Sequence, residues 1–331
     1  MSQVTGVRTR LAGFTETTYG QIPGTPAGLV LPFVQNGVRA QMQREQDATI
    51  DGFRGQPRSV PGNRDINGTV QVNVAPGSIG WWLQHLIGVP TTTGAAVPYT
   101  HTFAPAASGA NALPPGFTLE EDLGSAFTAA SRYIRYQGCR IAQMQLTLAP
   151  SGFLTASIDV RGADYSRSAT ALDATLTDNG HKAFPAMSAA LSVNAGAVTV
   201  KMTQFQLTYS NDLDDTNYTI GGNGVRGSMP EGFALVTGQT EFLLEDSNYL
   251  DLVLGDSDVS FDLSLQHGVG DGTAGNEKLT ISIPAAVNEL VTPQINGPRG
   301  VRLQANFNAF RTSGEIGVQA VLLSPLAIID G

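Results

Sequence analysis

Four stretches of the chain alternate between apolar and uncharged polar side chains. The clearest runs from Arg302 to Phe310, with Leu303, Ala305 and Phe307 set between Gln304, Asn306 and Asn308. Its relatives run from Val38 to Ile50, Gln143 to Leu148 and Gln204 to Tyr209. Successive side chains on a strand point to opposite sheet faces, so a period of two means one packed face and one wet face. The wet face is mostly Gln, Asn and Thr, where an ordinary exposed strand carries more Lys and Glu. A long, weakly adhesive polar surface suits a protein that forms the wall of something.

Composition agrees. The chain has 331 residues, enough for one large or two ordinary domains with a substantial core. Charged residues make up 14%, well below the usual quarter, and glycine is frequent at 38. Such a chain is expected to bury much of its outside in a permanent assembly. The net charge is −9, and the excess is localised: between Asn211 and Asp262 eleven acids face one base, Arg226. That opposes tight nucleic-acid binding, which needs clustered positive charge. It does not oppose a surface that nucleic acid passes without sticking.

Cys139 is the one cysteine, which excludes an intramolecular disulfide scaffold; it reads as a buried structural thiol. The first residues lack a charged region followed by an apolar core, so no signal peptide is expected. The longest apolar run, Val318 to Ile329, is broken by Ser324 and Pro325 and is too short to span a bilayer. A soluble protein made in the cytoplasm is expected, with no membrane anchor.

Strand patterns dominate the chain. Residues 1–30 read as an irregular N-terminal arm punctuated by Gly20, Pro23, Gly24 and Pro26. Strands are expected within 38–51, 66–75, 97–104, 132–148 and 153–162, then within 198–209, 216–220, 233–244, 258–266, 277–284 and 300–310. A Ser/Ala/Thr-rich passage separates the two sets. Two short helices are expected. The first is Ser78 to Ile87, with Trp82, Leu83, Leu86 and Ile87 on one face and Gly88 as its stop. The second is Asp246 to Leu254, capped by Asp246 or Ser247 and closed by Gly255.

These helices expose an internal repeat. An alternating strand opening at Gly68 (Val70, Val72, Val74) leads through a turn to Trp82, Leu83, Leu86, Ile87 and Gly88. An alternating strand opening at Gly238 (Thr240, Phe242, Leu244) leads to Tyr249, Leu250, Val253, Leu254 and Gly255. A further echo joins Gln143 to Thr147 with Gln204 to Thr208. Duplication of one β-rich domain is the expectation. The wet faces are Gln41, Gln43, Glu45 and Asp47; Gln143, Gln145 and Thr147, continued by Ser157 and Asp159; Gln204, Gln206 and Thr208; and Arg302, Gln304, Asn306 and Asn308. Long open strand edges are an aggregation hazard, which closing strands from several subunits into one barrel removes.

Patterns that suggest chemistry fail on context. Gly270, Gly272 and Gly275 match a dinucleotide fingerprint as letters, but Glu277 to Ile283 alternates like a strand where a helix is needed. The acidic run Asn211 to Asn217 lacks the glycine and glutamate that close a calcium loop, and reads as a turn. His85, His101, His181 and His267 lack metal-ligand spacing, with His85 expected on the polar side of the first helix. Glu120, Glu121 and Asp122 read as solvated acids. No catalytic site, cofactor or metal is expected.

The ordered series of these motifs resembles the tail tube proteins of tailed bacteriophages. Glu16 to Pro23, with Tyr19 and Gly20, is similar to their opening. The Gly68 to Gly88 unit follows, then Tyr99 to Phe103, Phe117 to Glu121, and Gly138-Cys139 leading into Gln143 to Thr147. The resemblance covers about residues 14–165 and, more loosely, the second half; the irregular stretch 104–116 departs from it and reads as an outer-surface insertion. It implies a mainly β fold of two tandem tail-tube-type β-sandwich domains, each with a short flanking helix, their long strands joining an inter-subunit β-barrel. The division would be an arm 1–30, a first tube domain 31–167, a linker 168–190, a second tube domain 191–312 and a tail 313–331. It implies a virion protein that is not an enzyme and works with copies of itself. Three double-domain copies per ring are favoured over six, with the rings stacked into a tube. The wet-face residues from Gln41 to Asn308 would line the lumen, through which DNA passes without specific binding. The tape measure, tail terminator and distal tail proteins are the implied partners, and the arm and tail would reach neighbouring rings. The alternative is a β-rich carbohydrate- or receptor-binding virion protein, for which Trp81 and Trp82 would be the stacking aromatics.

Overall fold

The computed structural model describes residues 3–50, 52–105, 114–125, 131–198, 201–245, 247–295, 297–312 and 317–330. The alternating stretches form strands, as their period demands. In the first half these are β1 (Arg10–Thr15), β2 (Leu29–Val30), β3 (Gln35–Asn36), β4 (Arg39–Glu45) and β5 (Val60–Asn73). Helix α1 (Pro76–Leu86) follows, then β6 (Thr91–Thr93), β7 (Tyr99–Phe103), β8 (Phe117–Asp122), β9 (Tyr133–Leu148), β10 (Thr155–Gly162) and β11 (Asp164–Ser168). The second half holds β12 (Ala190–Val193), β13 (Lys201–Ser210), β14 (Leu235–Leu243), helix α2 (Asn248–Leu254), β15 (Asp258–Gln266), β16 (Lys278–Asn288), β17 (Arg302–Ala309) and β18 (Gln319–Ser324). The fold is mainly β, and every ladder between these strands is antiparallel.

One strand order occurs twice. The first half runs β1–β8–β9–β10–β5–β4. The second runs β12–β15–β16–β17–β14–β13. In each, the fifth strand of the series, β5 or β14, leads into the helix. The repeat found in the letters therefore recurs in the topology, down to register: Gly68 faces Val160 and Gly238 faces Phe307. Gly238 is required by packing, since a Cβ there would lie 2.2 Å from the Phe307 ring and 2.6 Å from the Gln206 carbonyl.

Both halves share one apolar core. Helix α1 begins two residues before the expected start, because Pro76 suits the first helical turn, where its missing N–H is not needed. It lies over the seam between halves, where Leu83, Leu86 and Ile87 gather with Met144 and Leu146 of β9 and Leu207 and Tyr209 of β13. Trp81 and Trp82 are both buried, packed edge-on to each other at 4.9 Å. Helix α2 starts at Asn248, and Ser247 makes no side-chain cap; Asp246 lies outside the described residues.

Several expectations about the ends and connections are corrected. The arm is not irregular throughout: β1 lies within it, pairs with β8, and buries Leu11, Ala12 and Phe14. In the tail, β18 pairs with both β16 and β7 and buries Ala320 and Leu322. Strands β1 and β18 thus contribute to the chain's own core. The linker passage is fastened to the first half, with Thr177 donating to the Gly28 carbonyl and accepting from Val30 N–H. Phe184, fully buried, stacks on His267 at 4.7 Å. Residues 216–220 form no strand; only a single bridge joins Tyr218 to Arg226. Of the 104–116 stretch, residues 106–113 lie outside the described residues.

The loop between β13 and β14 explains Arg226, the lone base of the acidic region. Its buried guanidinium donates to the carbonyls of Gly162 (2.7 Å) and Ile66 and to Asp65. It thereby pins a loop of the second half onto β5 and β10 of the first. The Glu16 motif is a second clip. Its buried carboxylate accepts from Thr118 Oγ1 (2.7 Å), Gly138 N–H (2.8 Å) and Gly20 N–H (2.7 Å). Burial raises its pKa, and these three donors work against that rise.

Candidate functional site

Directly opposed residues in an antiparallel ladder project to the same face, so register shows which side chains share a surface. Across β5, β10, β9, β13, β14 and β17 one row reads Asn73, Thr155, Thr147, Gln206, Gln239, Asn306. The next reads Gln71, Ser157, Gln145, Thr208, Thr237, Asn308. These twelve positions hold no charged side chain. A shorter row, Thr69, Asp159, Gln143, Ser210, flanks them on one side, and Gln204, Glu241, Gln304 on the other. The face crosses from first half to second at the β9–β13 ladder without a break.

Of the expected residues, Gln143, Gln145, Asp159, Gln204, Gln206, Gln304, Asn306 and Asn308 thus fall on one surface, and Gln41 joins through its pairing with Asp65. Gln43 and Glu45 follow Gln41 at alternate positions of β4, while Asp47 does not belong to a strand. The register slips between Met42 and Arg44, where Gln43 alone on β4 faces Gly62 and Asn63 on β5, so the extra residue belongs to β5 and β4 keeps its alternation. A bulge shifts the facing of the strand that carries the extra residue, here β5 beyond Arg64, which strict alternation in the letters cannot reveal. Asp47 lies past the strand, accepting from Thr49 N–H (2.9 Å) and Oγ1 (2.6 Å), bonds that hold its carboxyl below the usual range.

Polar groups on the face are partly consumed by one another. Gln239 Nε2 donates to Asn306 Oδ1 (2.9 Å), and Asn306 Nδ2 donates to Glu289 (2.8 Å). The charges at its margins are mostly paired: Arg161 with Asp159 (2.6 Å) and Asp215 (2.9 Å), and Arg302 with Glu241 (3.3 Å). Burial raises the pKa of Asp159, with Arg161 opposing the rise. What remains is a broad, near-neutral surface with few free charges.

The residues set aside as chemistry candidates find structural work. The glycine run 270–275 lies in the loop of the β15–β16 hairpin. Asp214 closes a turn by accepting from Thr216 Oγ1 at 2.7 Å. Glu120 and Asp122 are not solvated: Arg135 pairs with Glu120 and Arg132 with Asp122, both at 2.7 Å. His85 does not face solvent but is buried, its Nδ1 donating to the Pro115 carbonyl (3.0 Å) and its Nε2 3.1 Å from Thr15 Oγ1. His101 is buried between Thr92 and the Leu326 carbonyl, and His267 beside Glu277. Cys139 is buried, which pushes its thiol pKa well up. Among the described residues no group of three or more His, Cys, Asp or Glu could hold a metal, and no helix is long and apolar enough to cross a membrane. Trp81 and Trp82, at 1% and 0% exposure, offer no platform for a sugar ring.

A mainly β fold with antiparallel ladders, a strand order that occurs twice and one uncharged polar wall is the build of a structural assembly protein. A family model described as phage tail tube protein matches residues 6–309, and the chain belongs to that family. Its role is accordingly structural, as a component of the virion tail that self-assembles into a tube. A comparison with curated proteins finds no match.

Proposed function

We propose that the polar face lines the lumen of a ring, that rings stack into the tail tube, and that the tube conducts the genome into the host. The observation that carries this reading is the pair of six-strand rows without a charged side chain, continuous across the two halves. Phosphate is held by charge-assisted contacts and counterion release. A wall of amides and hydroxyls with paired margins supplies few of either, so DNA slides past.

The repeated strand order supports two tandem tube domains, 31–167 and 191–312, joined by 168–190, and hence three chains per ring with pseudo-sixfold symmetry. The tape measure protein would fill the lumen before ejection, and terminator and distal tail proteins would close the ends. Negative-stain microscopy of the purified protein tests the assembly: tubes or rings with a central hole and three chains per turn are expected. Six chains per ring would overturn the trimeric count. Gln206→Lys with Gln145→Lys tests the lumen. Tubes should form normally while ejection slows; ejection at the wild-type rate from intact tubes would show that this face does not meet DNA.

A further inference from the structure

We propose that the ring closes by repeating, between chains, a junction that each chain already contains within itself. The outer edge of β4 in one protomer would pair with residues 290–295 of the next, as β13 pairs with β9. The inference rests on the tail-tube reading and specifies which edges make the subunit contact.

The two strand orders make β4 with β3 the counterpart of β13, and β16 the counterpart of β9. Register supports the match, because Gln35 opposes Gln71 as Gln204 opposes Glu241, and Gly68 is the partner of Gly238 in the repeat. Strand β9 is long. After a bulge beyond Ile141, its last residues sit between β10 on one side and β13 on the other. Strand β16 starts the same course against β17, with Asn288 opposite Phe307, and then stops. Glu289 N–H donates to the Asn306 carbonyl (2.8 Å), in keeping with the same bulge. Beyond it, exposure still alternates: Val291 and Pro293 are half-buried, while Leu290, Thr292 and Gln294 are exposed. The segment has the side-chain pattern of the end of β9, but no ladder is made to it.

Both halves of the missing junction are open. Strand β17 is paired along Arg302–Asn308 with β14, yet on its other side only Phe307 to Ala309 are paired with β16. A cavity of about 620 Å³, bordered by Val291, Pro293, Arg302 and Gln304, separates the segment from that edge. Among the described residues, strand β4 pairs only with β5. Gly37 N–H bonds back to Thr69, so by alternation the amides of Val38 and Ala40 point to the free edge. Unpaired edges of this kind are templates for another strand. The second half would thus complete its β9-like strand only when the next chain's β4 arrives.

Equivalence also sets the register. Gln143, Gln145 and Leu146 oppose Ser210, Thr208 and Leu207. Leu290, Thr292 and Pro293 should therefore oppose Gln41, Arg39 and Val38 of the neighbour. Pro293 has no N–H, and Val38 already donates its own to Asn36 Oδ1 (3.1 Å), so this pair leaves no donor stranded.

The test is a cysteine pair, Arg39→Cys with Thr292→Cys, oxidised after assembly. Side chains directly opposed across a ladder are close enough to bridge, whereas residues offset by two are not. Covalent ring-sized multimers are expected on a denaturing gel, with none from the offset pair Arg39→Cys with Leu290→Cys. Tubes that form but do not cross-link, or that cross-link through the offset pair, overturn this junction and leave the tube reading standing. Failure of the wild-type protein to form rings or tubes overturns both. Ala40→Pro gives a second measure: it removes an amide that, by alternation, points away from β5. It should abolish assembly while far-UV circular dichroism of the subunit stays unchanged. Wild-type tubes from a folded Ala40→Pro protein would also overturn the junction.

Discussion

Helices α1 and α2 occupy the same place in the repeated strand order, yet they live in different surroundings. Ten of the eleven residues of α1 are buried, but only Tyr249 and Val253 of α2 are. Aligned from their terminal glycines, Trp82 matches Tyr249 and His85 matches Leu252. The difference comes from what lies on top. Over α1, β1 brings Gly13 against the Trp81 ring, where a Cβ would clash at 2.4 Å, and the tail brings Ile329 against Gly80. Asp330 accepts from Gln84 Nε2 at 2.7 Å. The helix of the first half has been roofed by the chain's two ends, and that of the second half has been left nearly bare. Two copies of one strand order can therefore share a core while only one of their helices is covered.

The strongest way to break this comparison is to hollow out each helix in turn. Trp82→Ala should destabilise the unassembled subunit by about 4 kcal/mol, within the usual cost of removing a large buried aromatic. Tyr249→Ala should cost less, because α2 has fewer neighbours to lose. Denaturant unfolding of both variants decides it, and an equal or reversed order would show that α2 is supported as well as α1. Hydrogen exchange sharpens the same point: amides of α2 should exchange before those of α1, since thinly covered elements open locally.

A smaller effect depends on pH. Burial pulls the pKa of His85 down to about 4, with the Pro115 carbonyl working the other way. In the unfolded chain the imidazole titrates near ~6.5. The folded state then binds fewer protons than the unfolded state between these values. Its contribution is full above pH ~6.5 and is lost as pH falls towards 4, by up to about 3 kcal/mol. Glu16 acts in the opposite sense, because burial raises its pKa and the fold favours its protonated form. Thermal melts from pH 7 to pH 4 should therefore fall more steeply for wild type than for His85→Gln. Parallel curves would mean that His85 is not held neutral. Leu252, at the same place in α2, brings no such pH dependence.

What could be read in the letters follows from the range of the interactions involved. Alternation is local, so the strands carrying Gln143, Gln206 and Gln304 were legible, and so was the common identity of their wet faces. The repeat was legible because Gly68 and Gly238 each need a close approach that no larger residue allows. Long-range partners were not. The arm and tail read as loose ends because β1 meets β8 and β18 meets β7 only after more than a hundred residues of chain have folded between them. Glu120 and Asp122 read as solvated acids because their arginines, Arg135 and Arg132, come to them across the β8–β9 pairing. The bulge in β5 opposite Gln43 was hidden because one inserted residue leaves no mark on composition, yet it shifts the facing of β5 beyond Arg64 while β4 keeps its alternation.

The smallest test lies at Tyr249, a polar anchor of α2. Tyr249 packs on Phe242 at 4.4 Å, and its hydroxyl donates to Asn288 Oδ1 (3.1 Å) and lies 3.3 Å from Thr240 Oγ1. Asn288 is the last residue of β16, two positions before the segment proposed to wait for the next chain. Tyr249→Phe keeps the ring and removes only the hydroxyl, so the subunit should lose about 1 kcal/mol, the net worth of an ordinary buried hydrogen bond. If α2 positions the end of β16 for assembly, this variant should also form tubes more slowly at equal protein concentration. Light scattering during assembly reads that rate directly. A stability loss with an unchanged assembly rate would confine the role of α2 to its own half, whereas Trp82, far better covered, should alter stability alone.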